Sequence, residues 1–424
     1  MDKYLKILRK ELRPAMGCTE PAASALAGAK AAELLGLVPT SLEICTSRDM
    51  VKNAMGVGIP NCSLKGIQAA VALGASGGDS EKGLSILSSL NEEQIEKASS
   101  IPVSLVIESG VPSLYIKVTA KAGDDFAIAT ISGEHDRFSY LQHNTTVLRE
   151  LAVDACGTEL EVEDEQFLGS ASLADLLSWV EQAPQEAIDL VLDAKETNLA
   201  IARHALDEEY GLSVGRIAAE PIGKEPSSLA EAFSLGSAMA AAASDARMAG
   251  CPLPVIINSG SGNQGITLTV PIAVVAAYLK KDDEQLGRAL LLSQLIGLGL
   301  TARKDRLSAL CGAFTASIGT ACGLVYLLGG NLEEMDRAFN TMVGNLTGII
   351  CDGAKSTCAL KIYSCVEAAN LACKLAFRGL SPGSESGIVG KSSMESMDFL
   401  SRISHEGMEE TDKTILSIML GKQS

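Results

Sequence analysis

Three cysteines of this chain stand in surroundings that suit metal chemistry. Cys18 lies in Gly17-Cys18-Thr19-Glu20-Pro21, and Cys311 and Cys351 lie far downstream in glycine-rich stretches nearly free of charge. Each stands where a helix is expected to begin. A helix start presents unpaired N–H groups and a partial positive charge. That environment lowers a thiol's pKa and favours the thiolate, the form that binds metals. Three such thiolates meeting in the fold would make a metal site with one position left open. Spacing alone does not single them out. Cys351, Cys358 and Cys365 recur at intervals of seven and Cys373 follows eight later, which is one stripe of a helix. A seam of small buried side chains is the simpler reading of that stripe. Cys322 follows Cys311 within the same glycine-rich stretch. There is no Cys-x-x-Cys, so neither a zinc ribbon nor a ferredoxin-type cluster is supported.

Other segments carry binding chemistry. Ser259-Gly260-Ser261-Gly262-Asn263-Gln264-Gly265 follows a strand-like run and contains Gly-x-Gly-x-x-Gly. A dinucleotide site would need a second parallel strand ending in an acid about twenty residues on; here a helical stretch is followed by Lys281-Asp282-Asp283-Glu284 and more helix. The loop still suits an anion such as a substrate carboxylate, because glycines expose backbone N–H groups ahead of a helix. Arg48 to Pro60 reads as a polar, then glycine-rich loop, and its Lys52 and Asn53 suit a binding role. His135, in Gly133-Glu134-His135-Asp136, ends an expected strand beside a turn. There is no His-Glu-x-x-His.

The elements that must position these residues form an α+β protein. Residues 1–160 read as a small mixed domain with N-terminal helices and an antiparallel sheet near 100–153. Asp2–Arg13 and Thr19–Gly36 are expected helices, and Thr40–Ser47 alternates like a strand. Val103–Glu108, Ser113–Lys121 and Phe126–Ser132 are expected strands joined by turn chemistry, with a fourth from Thr145 to Val153. The acidic segment Glu159–Glu165 looks like a boundary. Residues 161–424 read as a large all-helical domain with buried, Gly/Ala-rich central helices.

Composition narrows the function. The chain has 424 residues, is 47% hydrophobic and only 4% aromatic, and carries a net charge of −17, which argues against nucleic acid or an anionic membrane surface as partner. The uncharged run Leu307 to Leu332 reaches membrane-spanning length. It holds five glycines, two cysteines and several hydroxyl residues, so a buried central helix is expected instead. The charged start of the chain lacks the apolar core of a secretory signal, and a cytoplasmic location is expected. Eleven cysteines without framework spacing in such a compartment imply reduced thiols.

Taken together, Gly17 to Pro21, Lys52 to Pro60, Ser259 to Gly265, Cys311 to Gly323, Gly348 to Lys355 and Gly407-Met408-Glu409-Glu410-Thr411-Asp412 resemble the L-cysteine desulfidase family (UPF0597), which is related to the α chain of bacterial iron–sulfur L-serine dehydratases. The resemblance runs from residue 1 to about 420, in order. It implies an oxygen-sensitive [4Fe-4S] cluster held by Cys18, Cys311 and Cys351, and elimination of hydrogen sulfide from L-cysteine without pyridoxal phosphate. Thr19, Glu20, Asn53 and the loop residues Ser259, Gly260, Ser261, Gly262, Asn263 and Gln264 are then candidates for substrate contact. His135, Lys52 and Lys355 are candidates for the base. The expected partner is a small amino acid, with neither nucleic acid nor membrane, and a homo-oligomer is left open. The rival readings are an iron–sulfur L-serine dehydratase and a non-catalytic amino-acid or metal-binding relative.

Overall fold

The computed structural model describes residues 2–59, 62, 64–151, 159–304 and 308–422. The architecture is α+β, with a sheet region near the N-terminus and a larger helical part. The strands are β1 (Pro14–Met16), β2 (Ser41–Thr46), β3 (Val103–Ile107), β4 (Tyr115–Ala122), β5 (Asp125–Ser132), β6 (Phe138–His143), β7 (Thr146–Glu150) and β8 (Pro254–Ile256). Six of them make one sheet in the order β3-β2-β4-β5-β6-β7, and β1 pairs with β8.

Sheet order departs from the expected run of sequential hairpins. β2 lies between β3 and β4: Leu42 faces Val103 in a parallel pair, and Ile44 faces Val118 in an antiparallel one. Burial explains this. β2 hides Leu42 and Ile44 almost completely, as a central strand does, whereas β3 is part-exposed along its length, as an edge strand is. Helices fill the connection between β2 and β3, and a crossover of that kind returns the chain parallel. From β4 to β7 the sheet is an antiparallel meander. β6 was not expected. The expected strand Thr145–Val153 appears as β7, its last residues lying outside the described ones. The expected boundary at 160 falls within the helix Glu159–Ser170, which packs on the helix Asp283–Lys304.

One face of the sheet is apolar at two-residue spacing, and the helix Thr19–Leu35 covers it. Ala22, Leu26 and Ala29 share a core with Ile116, Val118, Ala129 and Ile131. The helix Ile67–Ala75 lies against the same helix at close range. A Cβ on Gly28 would stand 2.3 Å from the Val71 carbonyl oxygen, and one on Gly74 would stand 1.9 Å from that of Ala25. Both positions therefore require glycine. This tight crossing holds the helix that begins just after Cys18.

The second core is helical. The helices Leu229–Met248, Gly262–Tyr278, Asp283–Lys304, Gly312–Leu327 and Thr357–Ala376 bury one another through alanine, glycine and leucine. Small side chains let helix backbones approach, which accounts for the low aromatic content. Leu5, Ile7 and Leu8 of the helix Lys3–Glu11 join this core. The uncharged run near 307–332 supplies the helix Gly312–Leu327, packed among four others. Among the described residues, no helix is long and apolar enough to cross a membrane.

Candidate functional site

Cys18 is the N-cap of the helix Thr19–Leu35, and Cys311 is the N-cap of the helix Gly312–Leu327. Cys351 corrects the expectation of a helix start. The next helix begins at Thr357, and Cys351 belongs to an extended segment instead. Leu310 and Ile350 pair as an antiparallel bridge, with the Cys311 N–H donating to the Ile349 carbonyl at 3.1 Å and the Cys351 N–H to that of Ala309 at 2.7 Å. Cys311 and Cys351 each flank the bridged pair, so their side chains fall on the same side of it, and the two thiols hydrogen-bond.

All three cysteines line one cavity of about 100 Å³. Thr19, Glu20, Asn53, Ser261, Asn263 and Gln264 line it too. The Thr19 hydroxyl donates to the Gly260 carbonyl at 2.8 Å, tying the cysteine segment to the glycine-rich loop. Glu20 is at the centre of the polar contacts. Its Oε2 accepts from Cys18 Sγ at 2.7 Å and its Oε1 from Asn53 Nδ2 at 3.3 Å. Ser259 lies on a neighbouring cavity with Lys10 and Glu11. Gly260 acts through its carbonyl, and Gly262 starts its helix. The strand ahead of this loop, β8, pairs antiparallel with β1, so the loop is no dinucleotide fingerprint.

The base candidates stand outside the cavity wall. Arg48–Ala54 is a short helix capped by the Ser47 hydroxyl, not the loop expected there. Its Lys52 is almost wholly buried, in ion pairs with Asp412 and, at 3.6 Å, with Asp49. Lys355 pairs with Asp352 at 3.2 Å. His135 is buried close enough to Glu20 for its charge to act on that carboxylate. Burial works to raise the Glu20 carboxyl, but His135, the Cys18 thiol and Arg247 together bring it below the ordinary range.

Helix starts do not set the thiol chemistry. Burial, followed by the charge of Glu20, pushes Cys18 well up. Cys311 is raised by donating to Cys351 and by burial, while Cys351 is lowered by accepting that bond, against burial, with help from Lys52. The residues missed from sequence are the cations of the cavity, Arg247, Lys304 and Lys361, and a further sulfur, Cys358. Lys361 donates to the Ile350 carbonyl at 2.9 Å and pairs with Asp352. Cys358, expected in the core seam, lines the cavity instead, whereas Cys365 and Cys373 lie in the seam.

Four cysteine sulfurs, those of Cys18, Cys311, Cys351 and Cys358, line one space, and thiolates are the ligands an iron–sulfur cluster takes. Among the described residues, no three His, Cys, Asp or Glu side chains are grouped closely enough to hold a metal ion.

Comparison with known proteins places the chain. The sequence model described as "Serine dehydratase alpha chain" matches residues 81–417. A UPF0597 protein of Oleidesulfovibrio alaskensis is 41% identical over 426 residues, covering 100% of this chain and 98% of the relative. UPF0597 proteins of Bacteroides thetaiotaomicron and Parabacteroides distasonis are 40% and 37% identical, each covering at least 98% of the relative and 99% of this chain. The chain belongs to the UPF0597 family. Its serine dehydratase α-chain match contains Cys311 and Cys351 and begins after Cys18. In this UPF0597 protein the remaining cavity cysteine therefore comes from the segment that precedes the match.

Proposed function

We propose that this UPF0597 protein is a carbon–sulfur lyase that converts L-cysteine and water to hydrogen sulfide, ammonia and pyruvate in the cytoplasm. The observation that carries the reading is the meeting of Cys18, Cys311 and Cys351, from distant parts of the chain, on one small cavity. These residues would hold a [4Fe-4S] cluster, whose iron without a protein ligand supplies Lewis acidity toward the leaving group. No pyridoxal phosphate is needed.

The chain's own groups do the rest. Glu20 and Asn53 present acceptors to the substrate ammonium, and Ser261 and Gln264 add polar contacts from the cavity lining. His135 is the best supported base. Lys52 and Lys355 are held by Asp412 and Asp352, which do not line the cavity, whereas His135 acts on Glu20, which does. Glu20 lines the cavity and His135 does not, so a proton leaving Cα reaches His135 by way of the Glu20 carboxylate. The Cα–H electron pair forms the Cα–Cβ double bond as the C–S bond breaks. Hydrosulfide leaves, and the aminoacrylate tautomerises to an imine that water converts to pyruvate and ammonia.

A second reading, L-serine to pyruvate and ammonia, is favoured by the serine dehydratase α-chain match. The test is anaerobic reconstitution of the full chain with iron and sulfide, removal of excess sulfide, and parallel assays of sulfide and pyruvate from L-cysteine and L-serine. Sulfide and pyruvate in equal amounts from cysteine, at a higher kcat/KM than pyruvate from serine, support the desulfidase. Pyruvate from serine alone supports the dehydratase. Neither product from either amino acid ends both.

A further inference from the structure

A buried arginine in the cavity is bonded to no carboxylate. Arg247 stands in the last turn of the helix Leu229–Met248, is 3% exposed and lines the cavity with the three cysteines. Among the described residues its side chain makes one hydrogen bond, Nη1 donating to Asn263 Oδ1 at 3.1 Å, and no ion pair. Nε is buried with no acceptor. Burying a guanidinium with most of its donors unused is costly, so an arrangement that keeps one implies an anion that arrives from elsewhere.

Glu20 is near enough for its charge and that of the arginine to act on each other, but it is not bonded to the guanidinium. Glu20, the carboxylate lining the cavity among the described residues, already accepts from Cys18 and Asn53. Nor is the arginine loosely placed. Asn263 fixes one edge of the guanidinium, and Asn263 is in turn bonded by the Ser244 hydroxyl at 3.3 Å. A Cβ on Gly262 would stand 2.4 Å from Arg247 Nε and 2.8 Å from Cζ. Glycine at this helix start is what lets the guanidinium lie where it does. A planar fork fixed in this way matches a carboxylate with two parallel hydrogen bonds. The cavity is small, which suits a carboxylate borne by a small molecule.

We propose that Arg247 recognises the α-carboxylate of the amino-acid substrate, so that a free α-carboxylate is the feature this site demands of any ligand. The inference rests on reading the cavity as a substrate site. It reassigns the glycine-rich loop: Gly262 and Asn263 position the arginine, and the arginine holds the anion.

The test uses the full chain, reconstituted anaerobically with iron and sulfide, and two non-turnover probes followed by calorimetric titration. L-Alanine carries the carboxylate and has no leaving group; cysteamine carries the thiol and amine without the carboxylate. Arg247→Gln weakens L-alanine binding by roughly 10- to 100-fold, the range of a charge-assisted bond pair, and Arg247→Lys weakens it less. Cysteamine binding stays the same in all three proteins. Circular dichroism and iron content establish that the variants are folded and loaded. Gly262→Ala, which displaces the guanidinium without removing its charge, weakens L-alanine selectively and serves if Arg247→Gln does not fold. Equal losses for both probes, unchanged L-alanine binding in the variants, or no L-alanine binding by the parent protein each overturn the assignment. If L-alanine binds through Arg247 but neither sulfide nor pyruvate is ever made, the lyase reading falls and the carboxylate assignment stands.

Discussion

At the scale of single residues, the site sets a carboxylate against a thiol. Cys18 donates to Glu20, and both its burial and that neighbour favour the protonated form. Binding to iron displaces the proton, as metal coordination of a thiol does. Cys18→Ala, Cys311→Ala and Cys351→Ala should each lose bound iron and the visible absorbance of the reconstituted protein. Cys322→Ala should keep both, because its thiol faces the Met335 carbonyl inside the helical core. Retention of iron by all three of the first set would end the cluster assignment. His135→Gln should lower kcat by about 100-fold or more, the scale of a lost general base, with iron content unchanged. An unaltered kcat would remove His135 from the mechanism. Cys18, Cys311 and Glu20 were legible as residue types in suggestive contexts. Arg247 was not, since nothing in the Asp245-Ala246-Arg247-Met248 stretch marks it apart from any arginine near a helix end.

Elements explain why some positions were misread. Asp352-Gly353-Ala354-Lys355 looks like a first helical turn, yet Gly353 has φ of 94° and a Cβ there would stand 2.0 Å from the Lys52 carbonyl oxygen. The segment is shaped by a neighbour some three hundred positions away, which no local pattern reports. The helix Arg48–Ala54 is too short to show a period and was hidden by the glycines that follow it. Longer helices with a cap, such as Thr19–Leu35 ending at the left-handed Gly36, were legible. The crossing of that helix with Ile67–Ala75 invites a direct test. Gly74→Ala puts a methyl group against backbone, and the expected destabilisation is about 1–3 kcal/mol, read as a lower Tm. Because this crossing holds the helix start at Cys18, iron loading should fall with it. An unchanged Tm would show that the helices part freely.

Across the whole molecule, the last helix locks onto the sheet region through a buried charge. Lys52, 2% exposed, pairs with Asp412 on the helix Met408–Gly421 and with Asp49 on its own. Burial works to lower this lysine, but Cys351, Asp412 and Asp49 together raise it. A lysine raised on folding adds stability that is complete below its unfolded value and is lost as pH rises through the folded one. Asp412→Asn should cost about 3 kcal/mol, the lower end for breaking a buried pair, since Asp49 remains. It should also flatten the alkaline loss of stability. Denaturant unfolding at several pH values reads both effects, and an unchanged midpoint would mean that Lys52 reaches water or another partner.

The chain's own order of residues determined the α+β class, most helices, the alternating strands and the cysteine contexts, because periodicity and caps act within a few residues of one another. Tertiary structure alone decided that β2 sits beside both β3 and β4, that the Leu310–Ile350 bridge sets Cys311 next to Cys351, and that Arg247 turns inward against Gly262. Those choices depend on which surfaces are buried together, and burial is a property of segments brought close by the fold.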